Sequence, residues 1–206
     1  ELINELKKNK GSTTLKFREK MSRLAFSETA YYDSVISNYF NKFNNIDFPK
    51  RKILHTNLVE NLRYGENPHQ MGALYSQNLK NNLKQIHGKK LSYNNYSDIF
   101  AALTISKSLP KNTGTVIIKH GNPCGVSALK NNLDSYKSAL ESDPISAFGG
   151  IVSCNYKINQ KLASTLNKIF LEVVIANGFD KKALKILKSK KNLRFIDSSK
   201  IFFNEV

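Results

Sequence analysis

Cysteine, tryptophan and acidic residues are all scarce in this sequence, and each scarcity removes a class of protein. Only Cys124 and Cys154 are present among 206 residues, far apart and without C-x-x-C spacing, so no disulfide framework or thiolate zinc site is expected. Two isolated thiols fit a reducing, cytoplasmic compartment. No run approaches the roughly 18 apolar residues that a membrane helix requires. The start, Glu1-Leu2-Ile3-Asn4, carries neither an initiator Met nor a signal-peptide pattern, so a membrane or secreted protein is not expected, and the chain reads as a piece of a longer one. His55, His69 and His87 have no ligand-like spacing with one another or with carboxylates, and no metal is expected.

Sixteen Asp and Glu stand against 32 Lys and Arg, a formal net charge of +16. Such a surplus favours anionic ligands and opens a reading as a basic nucleic-acid-binding or scaffold module. Composition argues for a blander cause. The arginines are only Arg18, Arg23, Arg51, Arg63 and Arg194, and the 27 lysines are scattered among abundant Asn and Ile rather than gathered in a stripe. Arginine, the residue suited to forked phosphate and base contacts, is the rare cation here, so specific nucleic-acid binding is not expected.

What is present suffices for a core, since 40% of the chain is hydrophobic. Phe17, Met21, Leu24 and Ala25, then Tyr32, Ile36, Tyr39 and Phe40, repeat at helical spacing, with Ser12 or Thr13 available as an N-cap. These read as one long helix or two abutting ones. Residues 41–52 are polar, carry Pro49 and read as a connector, which puts a domain boundary between about 50 and 60. Beyond it the texture alternates: a strand at 72–75, a helix at 97–109, a buried strand at 115–118, a helix at 127–140, a glycine-hinged strand at 148–153, a helix at 160–171 and a strand at 173–176. Strands alternating with helices predict an α/β domain, layered α/β/α, with a largely parallel sheet.

Three stretches carry chemistry. Lys119-His120-Gly121-Asn122-Pro123-Cys124-Gly125 puts a cation and an imidazole directly after a buried strand, at what reads as the carboxyl edge of a parallel sheet. An imidazole titrates near neutrality and suits a general base, while an ammonium stabilises a developing oxyanion. A structural histidine in a turn beside a solvent-facing lysine is the competing reading. Arg63-Tyr64-Gly65-Glu66-Asn67-Pro68-His69-Gln70 sets a guanidinium, a phenol, an amide and an imidazole in a loop, as a nucleotide-recognition loop or a plain polar connection would. Asp143-Pro144-Ile145-Ser146-Ala147-Phe148-Gly149-Gly150 reads as a turn leading into a strand, and Glu172 precedes another. Pro123-Cys124 matches half of a zinc-deaminase motif, but Ser127 stands where the second cysteine belongs. A Cys124 nucleophile paired with His120 stays open, with nothing in the sequence to lower the thiol pKa.

Taken in chain order, as residues 62–70, 119–125 and 143–150, and at these spacings, the three motifs closely resemble the PurH family of bifunctional purine-biosynthesis enzymes, in its transformylase half. Residues 27–40 (SETAYYDSVISNYF) also resemble the last helix of that family's cyclohydrolase domain. The resemblance implies that residues 1–55 are the end of a methylglyoxal-synthase-like IMP cyclohydrolase domain with its linker. Residues 56–206 are then the first cytidine-deaminase-like subdomain of the AICAR transformylase, without the deaminase zinc. It implies formyl transfer from 10-formyltetrahydrofolate, as co-substrate, to the 5-amino group of aminoimidazole carboxamide ribonucleotide (AICAR). On that resemblance His120 is the general base and Lys119 the transition-state stabiliser. Arg63, Tyr64, Gly149, Glu172 and Asn95 bind the nucleotide, although Glu172 stands where some relatives carry Asp. It further implies a cytoplasmic homodimer, with folate-contacting residues and a further catalytic Asn beyond residue 206 and the cyclohydrolase residues before residue 1.

Overall fold

The computed structural model describes residues 1–77 and 83–201. The chain divides into two compact units, Glu1–Asn57 and Leu58–Val206. In the first, a short helix α1 (Leu2–Lys8) leads into a single 29-residue helix α2 (Leu15–Phe43). The N-cap is Thr14 rather than the expected Ser12 or Thr13, and its hydroxyl accepts from the Phe17 amide. Glu5 ties the two helices together, its Oε1 accepting from the Thr14 amide at 3.0 Å and from the Thr14 hydroxyl at 2.6 Å. Ser34 is the one residue of α2 that is buried, and Tyr32, Tyr39, Phe40 and Phe43 remain exposed.

The second unit opens with a two-stranded sheet, β1 (Asn57–Asn61) and β2 (Ala73–Ser76). A six-stranded sheet follows, from β3 (Lys84–His87), β4 (Thr115–Lys119), β5 (Asn122–Ser127), β6 (Ile151–Cys154), β7 (Val173–Ala176) and β8 (Arg194–Asp197), in spatial order β3-β8-β7-β6-β4-β5. Helix α3 (Tyr93–Ser108) covers one face; α4 (Asn132–Ser142), α5 (Gln160–Leu166) and α6 (Lys181–Leu187) cover the other. The layering is α/β/α, as expected. Strand alternation builds it: Val116, Ile118, Ile151, Val173, Ile175 and Ile196 join Ile99 and Leu103 of α3, while Ile117, Val152, Val174 and Phe195 meet Tyr136, Leu162 and Leu187. Asn155 fastens α3 to the sheet, its Nδ2 donating to the carbonyls of Ser106, Leu109 and Pro110 and its Oδ1 accepting from the Gly114 amide.

The sheet is mixed rather than largely parallel. Only β6-β7 and β7-β8 pair in parallel; β4 runs antiparallel to both β5 and β6, and β3 antiparallel to β8. The cause lies at His120 and Gly121, with φ of +53° and +75°. Positive φ at both central residues makes a two-residue hairpin turn that matches the right-handed twist of strands, so the chain reverses directly from β4 into β5. Residues 122–127 are therefore an edge strand, where a proline, lacking an N–H, is tolerated at position 123. The following helix starts at Asn132 rather than 127. Gly125 permits the approach of α4, since a Cβ there would stand 1.8 Å from the Ala139 carbonyl oxygen. Residues 148–150 belong to a turn that delays β6 to Ile151, and α5 ends at Leu166 rather than 171.

This topology also moves the site expected at a carboxyl edge. Because β4 opposes its neighbours, Lys119 at its carboxyl end lies beside the amino ends of the parallel strands, where Gly150 precedes β6 and Glu172 precedes β7.

Candidate functional site

That edge of the sheet gathers four of the expected residues. Lys119 Nζ donates to the Phe148 carbonyl at 2.6 Å, which places the ammonium against the Phe148-Gly149-Gly150 turn. Gly149 adopts φ of +74° and donates its amide to the Phe170 carbonyl at 2.8 Å. The Glu172 amide donates to the Gly150 carbonyl at 3.0 Å, and the Glu172 carbonyl accepts from the Arg194 amide at 3.1 Å, so the carboxylate is fixed at the root by two strands. Asn95 closes the group. It is buried in the first turn of α3, shares a capping box with Ser92, and donates from Nδ2 to Glu172 Oε2 at 2.8 Å.

Arg194 completes this group. Its Nη1 lies 3.6 Å from Glu172 Oε2 and its Nε donates to the Lys90 carbonyl at 3.2 Å, with the side chain only 15% exposed. Arg194 also lines a cavity of about 360 Å³ together with Arg63, Tyr64, Lys89, Lys90 and Ser92. Four cations in one concavity suit an anionic group such as a phosphate. The Arg63 guanidinium carbon sits 5.8 Å from the centre of the Tyr64 ring, within cation–π range. One carboxylate shares this lining: Glu60 meets Lys90 at 3.4 Å and accepts from the Tyr96 hydroxyl at 3.4 Å; burial, then the Glu60 charge, pushes the Tyr96 phenol up to about 12.

His120 opens into a second concavity, of about 390 Å³, with Glu66, Asn67, Tyr93, Asn94, Ser97 and Asp98. The first motif therefore contributes to both: Arg63 and Tyr64 to the basic cavity, Glu66 and Asn67 to the one holding His120. Asn94 Nδ2 donates to the Glu66 carbonyl at 3.4 Å and links the loop to α3 between them. The structure thus brings Lys119 to Gly149 and Asn95 to Glu172, and sets Arg63 and Tyr64 in a cavity separate from that of His120.

The loop holds its form through two bonds to Gln70: the Gly65 amide donates to its carbonyl at 2.8 Å, and the Asn67 amide to its side-chain Oε1 at 2.8 Å. Cys124 is the extra residue of a β-bulge, since Ile117 pairs with Gly125 and Ile118 with Pro123. Burial, and then the Asp143 charge, raise its thiol, the opposite of what a nucleophile needs. The Asp143 carboxyl is itself held low, chiefly by its hydrogen bonds from Ser146. Among the described residues no group of three His, Cys, Asp or Glu side chains is placed to hold a metal ion.

Arg194 and Asp98 escaped the sequence reading. The rarity of arginine, which singled out Arg63, applies equally to Arg194 and is the signal that points to it. Asp98 carries no such signal, because its role depends on which loop faces its helix.

The comparisons agree with the motifs. The model of the AICARFT/IMPCHase bienzyme family matches residues 1–204. The bifunctional purine biosynthesis protein PurH of Aquifex aeolicus (strain VF5) is 45% identical over 200 residues, covering 95% of this chain and 39% of that protein. PurH of Thermoanaerobacter sp. (strain X514) is 44% identical over 199 residues, with the same coverage, 95% and 39%. The chain thus spans about two-fifths of the length of the curated relatives it matches. Among solved structures, the apo dCMP deaminase of cyanophage S-TIM5 aligns with 48% of this chain and 93% of its own at 12% identity and a TM-score of 0.36. With the family model matched along nearly its whole length, the chain belongs to the AICARFT/IMPCHase bienzyme family.

Proposed function

We propose that this chain carries the nucleotide half-site of an AICAR transformylase, acting in de novo purine biosynthesis. The observation that carries the reading is the sheet edge at which Lys119, Gly149, Glu172 and Asn95 converge, each held by a named hydrogen bond, beside a cavity with four cations. The phosphate of AICAR goes to Arg63 and the basic cavity, with Tyr64 at its wall. Glu172, steadied by Asn95 and Arg194, accepts from a hydroxyl or amine of the nucleotide. Gly149 offers its carbonyl, its amide being engaged by Phe170.

The amine of AICAR is a weak nucleophile, its lone pair delocalised into the ring and carboxamide, so it must be both positioned and deprotonated. His120 takes the proton from the amine nitrogen as that nitrogen bonds to the formyl carbon of 10-formyltetrahydrofolate. The bond from this carbon to N10 of the folate breaks, N10 takes up a proton, and the formylated nucleotide (FAICAR) and tetrahydrofolate result. Lys119 stabilises the negative charge that builds on the formyl oxygen during the exchange. No metal takes part in this scheme. In the complete protein the cyclohydrolase closes FAICAR to IMP, the enzyme is a cytoplasmic homodimer, and its partners are the nucleotide and folate substrates rather than nucleic acid.

Calorimetric titration of the chain with AICAR at moderate salt tests the half-site. Saturable binding at one site per chain is expected, weakened about tenfold or more by Arg63→Ala through loss of a charged phosphate contact. Binding of oligonucleotides that falls steeply with salt and ignores Arg63→Ala, with no response to AICAR, would replace this reading by the basic-module one.

A further inference from the structure

We propose that Asp98 is a positioning residue, which locks the His120-Gly121 turn in the one backbone conformation that points His120 at the nucleotide. The inference deepens the reading of His120 as proton acceptor and rests on it.

His120 is a non-glycine residue in the left-handed region, at φ of +53°, a conformation disfavoured for side chains with a Cβ, which persists only where its surroundings impose it. The turn caps β4 and the edge strand β5, so no further strand braces it on that side. Its brace comes from the helix layer. The Gly121 amide donates to Asp98 Oδ1 at 2.6 Å, a short bond to a carboxylate. Asp98 stands on α3, whose Ile99, Ala102 and Leu103 are buried in the core, so the acceptor is anchored rather than floating. Asn95, three residues earlier and thus on the same helical face, grips Glu172. One turn of α3 therefore sets both the nucleotide carboxylate at the sheet edge and the turn that carries the base. Asp98, His120 and Gly121 all line the same cavity, which keeps the brace at the reacting end.

The test uses the whole ¹⁵N-labelled chain with Asp98→Ala and Asp98→Asn, followed by NMR. Asp98→Ala should speed amide exchange at Gly121 about tenfold to a hundredfold, the range expected for losing a hydrogen bond to a charged acceptor, and should shift the His120 imidazole resonances. Asp98→Asn keeps a carbonyl acceptor on the same stem, should retain most of the protection, and serves if the alanine variant fails to fold. In AICAR titrations, Asp98→Ala combined with His120→Ala should bind no more weakly than His120→Ala alone, because Asp98 acts through His120. Gly121 exchange and His120 resonances unchanged in folded Asp98→Ala, or affinity losses that simply add, would overturn the proposal. A parent chain that ignores AICAR overturns the nucleotide reading instead, while Gly121 exchange still decides the role of Asp98.

Discussion

Cys124 and Cys154 show how little a residue's type says about its reactivity. Cys154 is wholly buried at the end of β6, among the hydroxyls of Tyr156 and Thr115, which stand 2.5 Å apart, and burial pushes its thiol up to about 12. Cys124 is partly accessible, but its thiol is also raised. Native chain treated with a thiol-specific reagent at neutral pH should label slowly at Cys124 and not at Cys154, with both reacting after denaturation; mass spectrometry of the labelled peptides reads the difference. Cys124→Ala should leave AICAR affinity within about twofold of the parent, whereas a loss as large as the roughly tenfold expected of Arg63→Ala would put the thiol at the nucleotide. At Gly125 the constraint is steric. With the Ala139 carbonyl where a Cβ would go, Gly125→Ala should cost at least about 2–3 kcal/mol in denaturant unfolding, by pushing α4 off β5.

Between elements, single polar side chains add to the apolar interfaces. Asn155 serves four backbone groups where α3 ends and β4 begins. Asn155→Ala would strand several of them away from water and should cost about 3 kcal/mol or more, again read by denaturant unfolding. The turn from α4 into β6 has a pH dependence of definite sign. Hydrogen bonds from Ser146 hold the Asp143 carboxyl below the usual carboxylate range, so its contribution is present above that range and fades as pH falls through the lowered value. The melting temperature of Asp143→Asn should therefore lie below that of the parent at neutral pH, with the gap closing only as pH falls below the usual carboxylate range and through the lowered value.

Elements of uniform apolar pattern were legible in the sequence. Thr115-Val116-Ile117-Ile118 and Val173-Val174-Ile175-Ala176 are strands buried on both faces, and Ile99, Leu103 and Ser106 face the core from α3 as their spacing predicts. What escaped is set by partners distant in sequence. Strand β5 contains Pro123, Cys124 and Gly125 and has no strand signature; only its place at a sheet edge, entered through a left-handed histidine, makes it one. The edge strand β3 and the strand β8, which holds Arg194, were likewise not marked by composition.

Across the whole molecule, the mixed sheet decides where chemistry collects. A parallel sheet would put Lys119 at one edge and the residues preceding β6 and β7 at the other; reversal of β4 through the His120-Gly121 hairpin brings them to the same edge. The three motifs, separated in sequence, were legible as a set because each has an unusual composition, and their resemblance agrees with the family matched over residues 1–204. That residues 63–70 divide between two cavities, with His120 in only one of them, was not legible, since it depends on how the loop lies against the start of α3.

Backbone amide mapping of the chain during titration with AICAR is the most direct test of the proposed half-site. The resonances of Arg63, Tyr64, Gly121, Gly149 and Glu172 should shift together along one saturable curve, with Asn95 following through its bond to Glu172. Shifts confined to one motif, or spread over exposed lysines without saturation and erased by moderate salt, would contradict a shared nucleotide site.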